Sequence, residues 1–371
     1  MFLSGFYAAP MSPLPAPKQP NGRGARSNAT GRYESLKHEA FDDGWTELDE
    51  PPKKLRTVLH LERAKKIITT NDSPDIGFDQ SINPYRGCEH GCIYCYARPA
   101  HAYVGFSPGL DFESQLFFKP DAAKLLEKEL SRKGYQPSPI HIGGNTDPYQ
   151  PIERTLRITR QVIEVLDRFN HPFSIITKNA MITRDLDLLA PMAARNLVRT
   201  AVSVTTLDRR LARAMEPRAA TPERRLDAIR QLSQAGVRCA VSVAPVIPGL
   251  NDHEIEAILE RAAEAGASGA HFTALRLPLE IKDLFREWLE SERPDRASRV
   301  MSLVRQMRGG KDYDSQWNTR MRGEGPIAVM IGARFRAARK RLGLDRERLS
   351  LDVSSFLVPP KSGDQMDLFS R

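Results

Sequence analysis

The sequence is poor in cysteine and has no long apolar run. Four cysteines occur in 371 residues, and three of them fall within eight positions, so a framework of disulfides is excluded. No run of eighteen apolar residues is present, which excludes an obvious transmembrane helix. The N-terminal residues lack the basic start of a secretion signal, so we expect a cytoplasmic protein with no membrane partner.

Acidic residues are fewer than basic ones. The chain has 55 Lys and Arg against 46 Asp and Glu, and its net charge at pH 7 is +9. An excess of this size is compatible with a polyanionic partner but is not specific for one. Arginines are concentrated at 209–225 and 334–341. Such runs are most often solvated faces, so charge gives only supporting information.

The composition changes along the chain and divides it into four parts. Residues 1–58 include a Pro- and Gly-rich stretch without periodicity, which predicts a disordered extension. From 59 to 310, short apolar strands alternate with amphipathic helices, which predicts a core domain. Residues 311–346 are expected to form a helical extension, and 347–371 a flexible tail.

The alternation of strands and helices predicts the fold class. Five or six consecutive units of this kind require parallel pairing with right-handed crossovers. The expected fold is α/β, a partial (β/α)6 TIM-type barrel with disordered tails at both ends. A doubly wound open sheet is the alternative, and in both folds ligands bind at the carboxyl ends of the strands.

The clustered cysteines form a compact metal-binding motif. Residues 83–96 read NPYRGCEHGCIYCY, which places Cys88, Cys92 and Cys95 in a C-x3-C-x2-C pattern. Three thiolates on one loop can each bind one iron of a cubane cluster and leave the fourth iron open. A structural zinc ion is the competing interpretation, with His90 or Cys239 as the fourth ligand.

This motif resembles the signature of the radical S-adenosylmethionine (SAM) superfamily, with its aromatic residue between the last two cysteines. Residues 143–153, GGNTDPYQPIE, are similar to the glycine-rich turn that faces the SAM amino group in that superfamily. The similarity is greatest to the spore photoproduct lyase-like branch, which is related to DNA repair photolyases, and it covers roughly residues 60–310.

The resemblance implies the cofactors and the chemistry. It implies a [4Fe–4S] cluster that cleaves SAM reductively to a 5′-deoxyadenosyl radical, with electrons from a reductant such as flavodoxin or ferredoxin. Lys178 follows the predicted strand that ends at Thr177, so we expect it to pair with the SAM carboxylate, and Glu216 resembles the acid that contacts the ribose in the family. The full set of expected cofactor-binding residues is Gly143, Gly144, Asn145, Asp147, Lys178, Ser203 and Glu216.

The substrate is less well indicated. Photoproduct lyases use a dedicated cysteine as hydrogen donor beyond the cluster motif, but this chain has no cysteine between Cys95 and Cys239. Near the C-terminus, Gln365, Leu368 and Phe369 resemble the peptide by which bacterial repair proteins bind the sliding clamp. Together with the arginines, this tail favours DNA and a lyase-like lesion repair. A radical SAM enzyme that modifies a protein, peptide or small metabolite is the first alternative, and a non-catalytic metal-binding protein is the second.

Overall fold

The computed structural model describes residues 22–34, 55–345 and 350–360. Its strands are β1 (Val58–Leu61), β2 (Ile68–Thr70), β3 (Gln80–Ile82), β4 (Tyr85–Arg86), β5 (Gln115–Phe118), β6 (Ile140–Ile142), β7 (Phe173–Thr177), β8 (Val198–Ser203), β9 (Cys239–Val246) and β10 (Gly269–Ala274). Its α-helices are α1 (Asp111–Ser114), α2 (Ala122–Leu130), α3 (Glu153–Leu156), α4 (Ile158–Arg168), α5 (Leu186–Ala194), α6 (Arg209–Met215), α7 (Pro222–Gln234), α8 (Ile255–Glu264), α9 (Ile281–Glu292), α10 (Pro294–Gln306) and α11 (Gly325–Arg341). Three 3-10 helices cover Arg98–Val104, Ala180–Asp185 and Asp252–Glu254.

Seven strands form the main sheet, in the order β10-β9-β8-β7-β6-β3-β2. Within this sheet, the strands β3, β6, β7, β8, β9 and β10 pair in parallel, and β2 adds an antiparallel edge beside β3. The order of the parallel strands never reverses, whereas a doubly wound sheet reverses at its switch point. The prediction of a partial six-stranded barrel is therefore confirmed. A second, three-stranded sheet has the order β1-β5-β4.

The two faces of the main sheet differ in polarity. Ile140, Ile142, Phe173 and Ile175 are buried in one apolar cluster with residues of the surrounding helices. At the alternate positions of β3, β6 and β7, polar side chains occupy the opposite face, where neighbours in register are Ser81, His141 and Ser174. The concave face of the partial barrel is therefore polar in this row.

A polar contact connects segments that lie beside the two edge strands of the main sheet, β2 and β10. Asp75, in the loop after β2, accepts hydrogen bonds from the Asn318 amide (2.7 Å) and from the Arg320 guanidinium. The adjoining Met321 carbonyl accepts a hydrogen bond from the Ala274 amide at the end of β10 (2.8 Å). This contact, the Asp75–Arg320 bridge, spans the gap that the unclosed sheet leaves.

The N-terminal region differs from the expected disordered extension over 1–58. Residues 22–34, here called the N-terminal strap, lie against the cysteine loop. Ala25 is fully buried, and Arg23 is 2% exposed. Hydrogen bonds hold most of the strap, and Ala25 is its buried apolar contact, so its composition did not reveal it. The clamp-like motif of Gln365, Leu368 and Phe369 lies outside the described residues. Within the parts of the chain that the structure describes, no helix is both long and apolar enough to cross a membrane.

Candidate functional site

The three clustered cysteines lie in one loop that follows β4. Cys88 and Cys92 are buried, Cys95 is partly exposed, and all three are free of disulfides. The Cys88 amide donates to Phe112 O (3.0 Å), and the Cys95 amide donates to Cys92 O (3.2 Å). Gly87 has a φ of 75°, in the left-handed region where a side chain would be strained. Three free thiols are thus gathered in a loop of fixed shape.

The surroundings of the thiols favour their neutral form when no metal is bound. Burial raises the pKa of all three thiols. The nearby carboxylate of Asp147 raises the pKa of Cys88 further, and that of Glu216 raises the pKa of Cys92. Metal binding must therefore displace these protons.

The structure argues against a zinc site completed by His90 or Cys239. In the described residues, no group of three or more His, Cys, Asp or Glu side chains could hold one metal ion. His90 is engaged elsewhere, since Nδ1 lies 3.2 Å from Asp147 Oδ2 and Nε2 lies 3.3 Å from Asn179 Nδ2. Cys239 is at the amino end of β9, opposite the edge where ligands bind. In a cubane each thiolate binds a different iron, so the sulfurs need not converge on one point.

The glycine-rich turn after β6 is fastened to the cysteine loop. Gly143 has a φ of 98°, and a Cβ there would lie 3.0 Å from a carbonyl oxygen of β7. The Tyr96 hydroxyl donates to the carbonyl of Gly144. The Asn145 amide donates to Asn83 Oδ1 (2.7 Å). The two segments that the sequence singled out therefore meet in one site.

Asp147 organises this turn from within. Its carboxylate accepts hydrogen bonds from Thr177 Oγ1 (2.6 Å) and from the amides of Lys178 (2.8 Å) and Tyr149 (2.9 Å), and it pairs with His90. Burial opposes its ionisation, but His90 and the hydrogen bonds outweigh burial and lower the pKa of Asp147 to about 2. The carboxylate is engaged by the protein itself, and its contact with SAM remains a prediction.

Gln150 is a site residue that the sequence analysis missed. Its side chain is fully buried, and Oε1 accepts a hydrogen bond from the Glu89 amide (2.9 Å). Its Nε2 donates to Gly87 O (3.3 Å) and to Thr146 Oγ1 (3.2 Å). Gln150 therefore joins the turn to the cysteine loop. The only signal in the sequence is an amide side chain inside the glycine-rich turn.

Glu216 lies in a buried polar network near Cys92. Its carboxylate accepts hydrogen bonds from Thr205 Oγ1 (2.7 Å), from the Tyr94 hydroxyl and from the Arg225 guanidinium. Arg225 also donates to the backbone carbonyl of Ser203 (3.1 Å) at the end of β8. The network fixes the strand ends around the site. Contacts of Glu216 and Ser203 with SAM remain predictions.

Lys178 supplies a positive charge beside the thiols. Its Nζ lies 5.8 Å from the centroid of the Tyr94 ring. Its charge lowers the pKa of Cys92 and Cys95, although burial has the larger, opposite effect. Among the residues that the structure describes, no carboxylate forms an ion pair with Lys178. An ammonium group without a protein counter-ion is suited to an anionic group of a ligand.

Fold, thiol loop and glycine-rich turn define the class of protein, and the chain belongs to the radical SAM superfamily. The model of that superfamily matches residues 82–262. An uncharacterised protein of Mycobacterium tuberculosis is 38% identical over 230 residues, which cover 62% of this chain and 68% of the relative.

More distant relatives differ in what is known of them. A radical SAM Nalpha-GlyT isomerase of Pseudomonas phage M6 is 28% identical over 195 residues, 51% of this chain and 38% of the phage protein. The structure of a spore photoproduct lyase mutant with dinucleoside spore photoproduct has a TM-score of 0.48 at 15% identity, and the match covers 76% of this chain and 79% of the lyase. A shared reaction does not follow from similarity at that level.

The protein is a radical SAM enzyme, and its cofactors are a [4Fe–4S] cluster and SAM. When bound, they would supply the radical chemistry of that superfamily. The chain's own residues fit this task, because one buried loop presents three free thiols and Lys178 stands beside them. The packed loop and turn also shield Cys88 and Cys92 from solvent.

Proposed function

We propose that this enzyme acts on DNA in a lyase-like lesion repair, as in the spore photoproduct lyase-like branch. Cys88, Cys92 and Cys95 would hold the cluster, which would supply the electron for reductive cleavage of SAM to the 5′-deoxyadenosyl radical. SAM is held by residues of the strand ends, namely Gly143, Gly144, Asn145, Asp147, Lys178, Ser203 and Glu216. The enzyme works in the cytoplasm and receives electrons from a reductant such as flavodoxin or ferredoxin.

The observation that carries the DNA proposal is a groove of about 370 Å³ beside β10, the edge strand of the main sheet. Arg322, Arg336 and Arg339 line it, together with His271 and Phe272. In the described parts of the chain, none of these three arginines forms an ion pair with a carboxylate. Guanidinium groups without counter-ions favour phosphate oxygens, so the groove is suited to a nucleic-acid backbone.

Other arginines of the same helix are compensated. On α11, Arg334 pairs with Glu256 (2.6 Å) and Arg341 pairs with Glu260 (2.7 Å). Both pairs join α11 to α8, whereas Arg336 and Arg339 line the groove. On α11, Arg336 and Arg339 therefore present charge without a carboxylate partner on the side that lines the groove. This contrast also provides matched control residues on one helix.

A buried site limits how DNA can react. The thiol loop lies among packed segments, so a base inside a duplex would not reach it. A damaged base would have to be extruded from the stack, and weakened pairing at a lesion lowers that cost.

DNA binding tests the proposal directly. The triple variant Arg322→Gln/Arg336→Gln/Arg339→Gln is compared with the wild type by fluorescence anisotropy, using a labelled duplex at several salt concentrations. Each lost phosphate contact reduces the slope of log affinity against log salt by about 1, so a reduction of up to about 3 is expected. The control variant Arg334→Gln/Arg341→Gln removes two positive charges outside the groove. If both variants reduced the slope equally, the loss of net charge would explain the result. The proposal that DNA binds in the groove would then be refuted.

Turnover is tested with reduced, cluster-loaded enzyme, SAM and ultraviolet-damaged DNA that carries deuterium at the damaged bases. Deuterium in 5′-deoxyadenosine is the expected result, because the radical abstracts hydrogen from its substrate. Cleavage of SAM without deuterium transfer from any DNA, but with transfer from a peptide or metabolite, would refute the DNA proposal.

Recruitment by the sliding clamp through Gln365, Leu368 and Phe369 remains a prediction from the sequence. A pull-down with the clamp should retain the wild-type chain and lose the variant Leu368→Ala/Phe369→Ala, because the two apolar anchors are removed. Unchanged binding of that variant would contradict the motif.

A further inference from the structure

We infer that the N-terminal strap positions the cluster-binding loop and is part of the cluster site. The inference rests on the proposed assignment of Cys88, Cys92 and Cys95 as the cluster ligands. The strap contributes no ligand itself; it acts through a buried carboxylate and a buried guanidinium that link it to the backbone of the loop.

The carboxylate is that of Glu113, in α1. It accepts hydrogen bonds from the strap amides of Gly24 and Ala25, both at 2.8 Å. It also pairs with the Arg98 guanidinium, and both of these side chains are fully buried. Arg23 adds a hydrogen bond to the Glu113 backbone carbonyl. A buried carboxylate needs such donors, so strap and carboxylate stabilise each other.

The guanidinium of Arg98 links Glu113 to the cysteine loop by hydrogen bonds to the loop backbone. Its Nε donates to Cys92 O (2.9 Å), and one terminal nitrogen donates to Gly91 O (3.2 Å). The other terminal nitrogen donates to Pro108 O (3.0 Å) and Gly109 O (2.8 Å). The polar chain thus runs from the strap amides through Glu113 and Arg98 to the backbone of a proposed ligand.

Packing adds a second, direct contact between strap and loop. A Cβ on Gly24 would lie only 1.8 Å from Gly91 O, so the two backbones touch where only glycine fits. The next residue, Ala25, is fully buried in an apolar cluster that also contains Cys92 and Ile93. A shift of the strap would therefore move the backbone that bears the second cysteine.

The strap is also anchored on its far side. Arg26 pairs with Glu292 (2.6 Å), and Ser27 Oγ donates to Glu287 (2.7 Å), both on α9. The Leu110 amide donates to Ser27 O (3.2 Å). The strap therefore spans from α9 to the cysteine loop and limits how far the loop can move.

The test uses Gly24→Ala in the full chain, with Gly22→Ala as the matched control. Gly22 belongs to the same strap and has a φ of 74°, and a Cβ there would meet no atom within 4 Å, so alanine strains the strap backbone locally without touching the cysteine loop. We expect the reconstituted Gly24→Ala protein to lose iron to a chelator about tenfold faster than the wild type, and its reduced cluster to show an altered electron paramagnetic resonance spectrum. The Gly22→Ala protein should match the wild type in both measurements.

A second variant, Glu113→Gln, keeps the side-chain size but removes the charge that Arg98 and the strap amides share. It should also release iron about tenfold faster, whereas Glu256→Gln, which weakens an ion pair remote from the loop, should not. Thermal unfolding of the metal-free proteins gives the structural reference. If Gly24→Ala and Glu113→Gln lower only that unfolding temperature and leave iron release and the spectrum unchanged, the inference is overturned. A triple variant Cys88→Ala/Cys92→Ala/Cys95→Ala that still binds the cluster would instead overturn the ligand assignment.

Discussion

Replacing Asp147 by asparagine should cost far more stability than its small change in shape suggests. Oδ1 of Asp147 accepts hydrogen bonds from the Tyr149 amide and from Thr177 Oγ1, and Oδ2 accepts from the Lys178 amide and faces His90 Nδ1. Asparagine turns one of these oxygens into an NH2 group. Whichever oxygen is replaced, the new NH2 group faces a backbone N–H. Both groups are hydrogen-bond donors, so that hydrogen bond is lost.

The pKa of Asp147 and the typical strength of its hydrogen bonds give the same loss of unfolding free energy for this substitution. The pKa of Asp147 is lowered from 3.8 to about 2, because His90 and the hydrogen bonds outweigh burial. At about 1.36 kcal/mol for each pH unit, this difference corresponds to about 2.5 kcal/mol of stability at neutral pH. Loss of a hydrogen bond to a charged group costs about 1.5–3 kcal/mol. We therefore expect Asp147→Asn to lower the free energy of unfolding by about 2.5 kcal/mol, a factor of roughly 70 in the folding equilibrium.

The assay is urea unfolding of the metal-free protein under reducing conditions, followed by circular dichroism. The control is Asp121→Asn, at an exposed position just before α2, which should change the stability by less than about 0.5 kcal/mol. The contribution of the Asp147 carboxylate is fully present above pH ~4 and is lost as pH falls towards the folded-state pKa. The difference between wild type and Asp147→Asn should therefore shrink by about half between pH 5 and pH 3. A difference below about 0.5 kcal/mol at pH 7, or one independent of pH, would refute the reasoning.

Three further predictions concern single side chains. Glu216→Ala should destabilise the metal-free protein by about 3–5 kcal/mol in urea unfolding, because Arg225 stays buried without its partner; a loss within error would contradict the network. Burial lowers the pKa of His171 to about 4, so wild-type stability should fall as pH drops from about 6.5 to about 4, and His171→Gln should reduce that fall in thermal unfolding. Lys178→Met should weaken SAM binding to the cluster-loaded enzyme about tenfold with unchanged iron content, and equal affinities in equilibrium dialysis would remove Lys178 from the SAM site.

The sequence predicted the main sheet because its signals are local. Strands such as Phe173–Thr177 are short apolar runs between amphipathic helices, and parallel pairing follows from that alternation. The thiol loop was equally accessible, since its three cysteines lie within eight residues. Glycine and aromatic neighbours of the cysteines added further local information. In both cases, the residues that determine the feature lie close together in the sequence.

The residues that escaped prediction depend on distant partners. The strap is polar and looks structureless, because its main hydrogen bonds go to Glu113, almost ninety positions away. Gln150 likewise acts through the Glu89 amide and Gly87, about sixty positions earlier. No periodicity marks such contacts, since hydrogen-bond networks leave no regular pattern in a sequence. Asp147 was predicted to lie in the site, but its engagement by four protein groups was not.

The Asp75–Arg320 bridge has a consequence for how large molecules reach the radical. It joins the loop after β2 to the segment beside the end of β10, so the chain crosses the open side of the sheet at that point. We expect a large substrate to approach the thiols over the carboxyl ends of the strands, where ligands of such sheets bind. A polymer would then remain outside and present a single unit to the site.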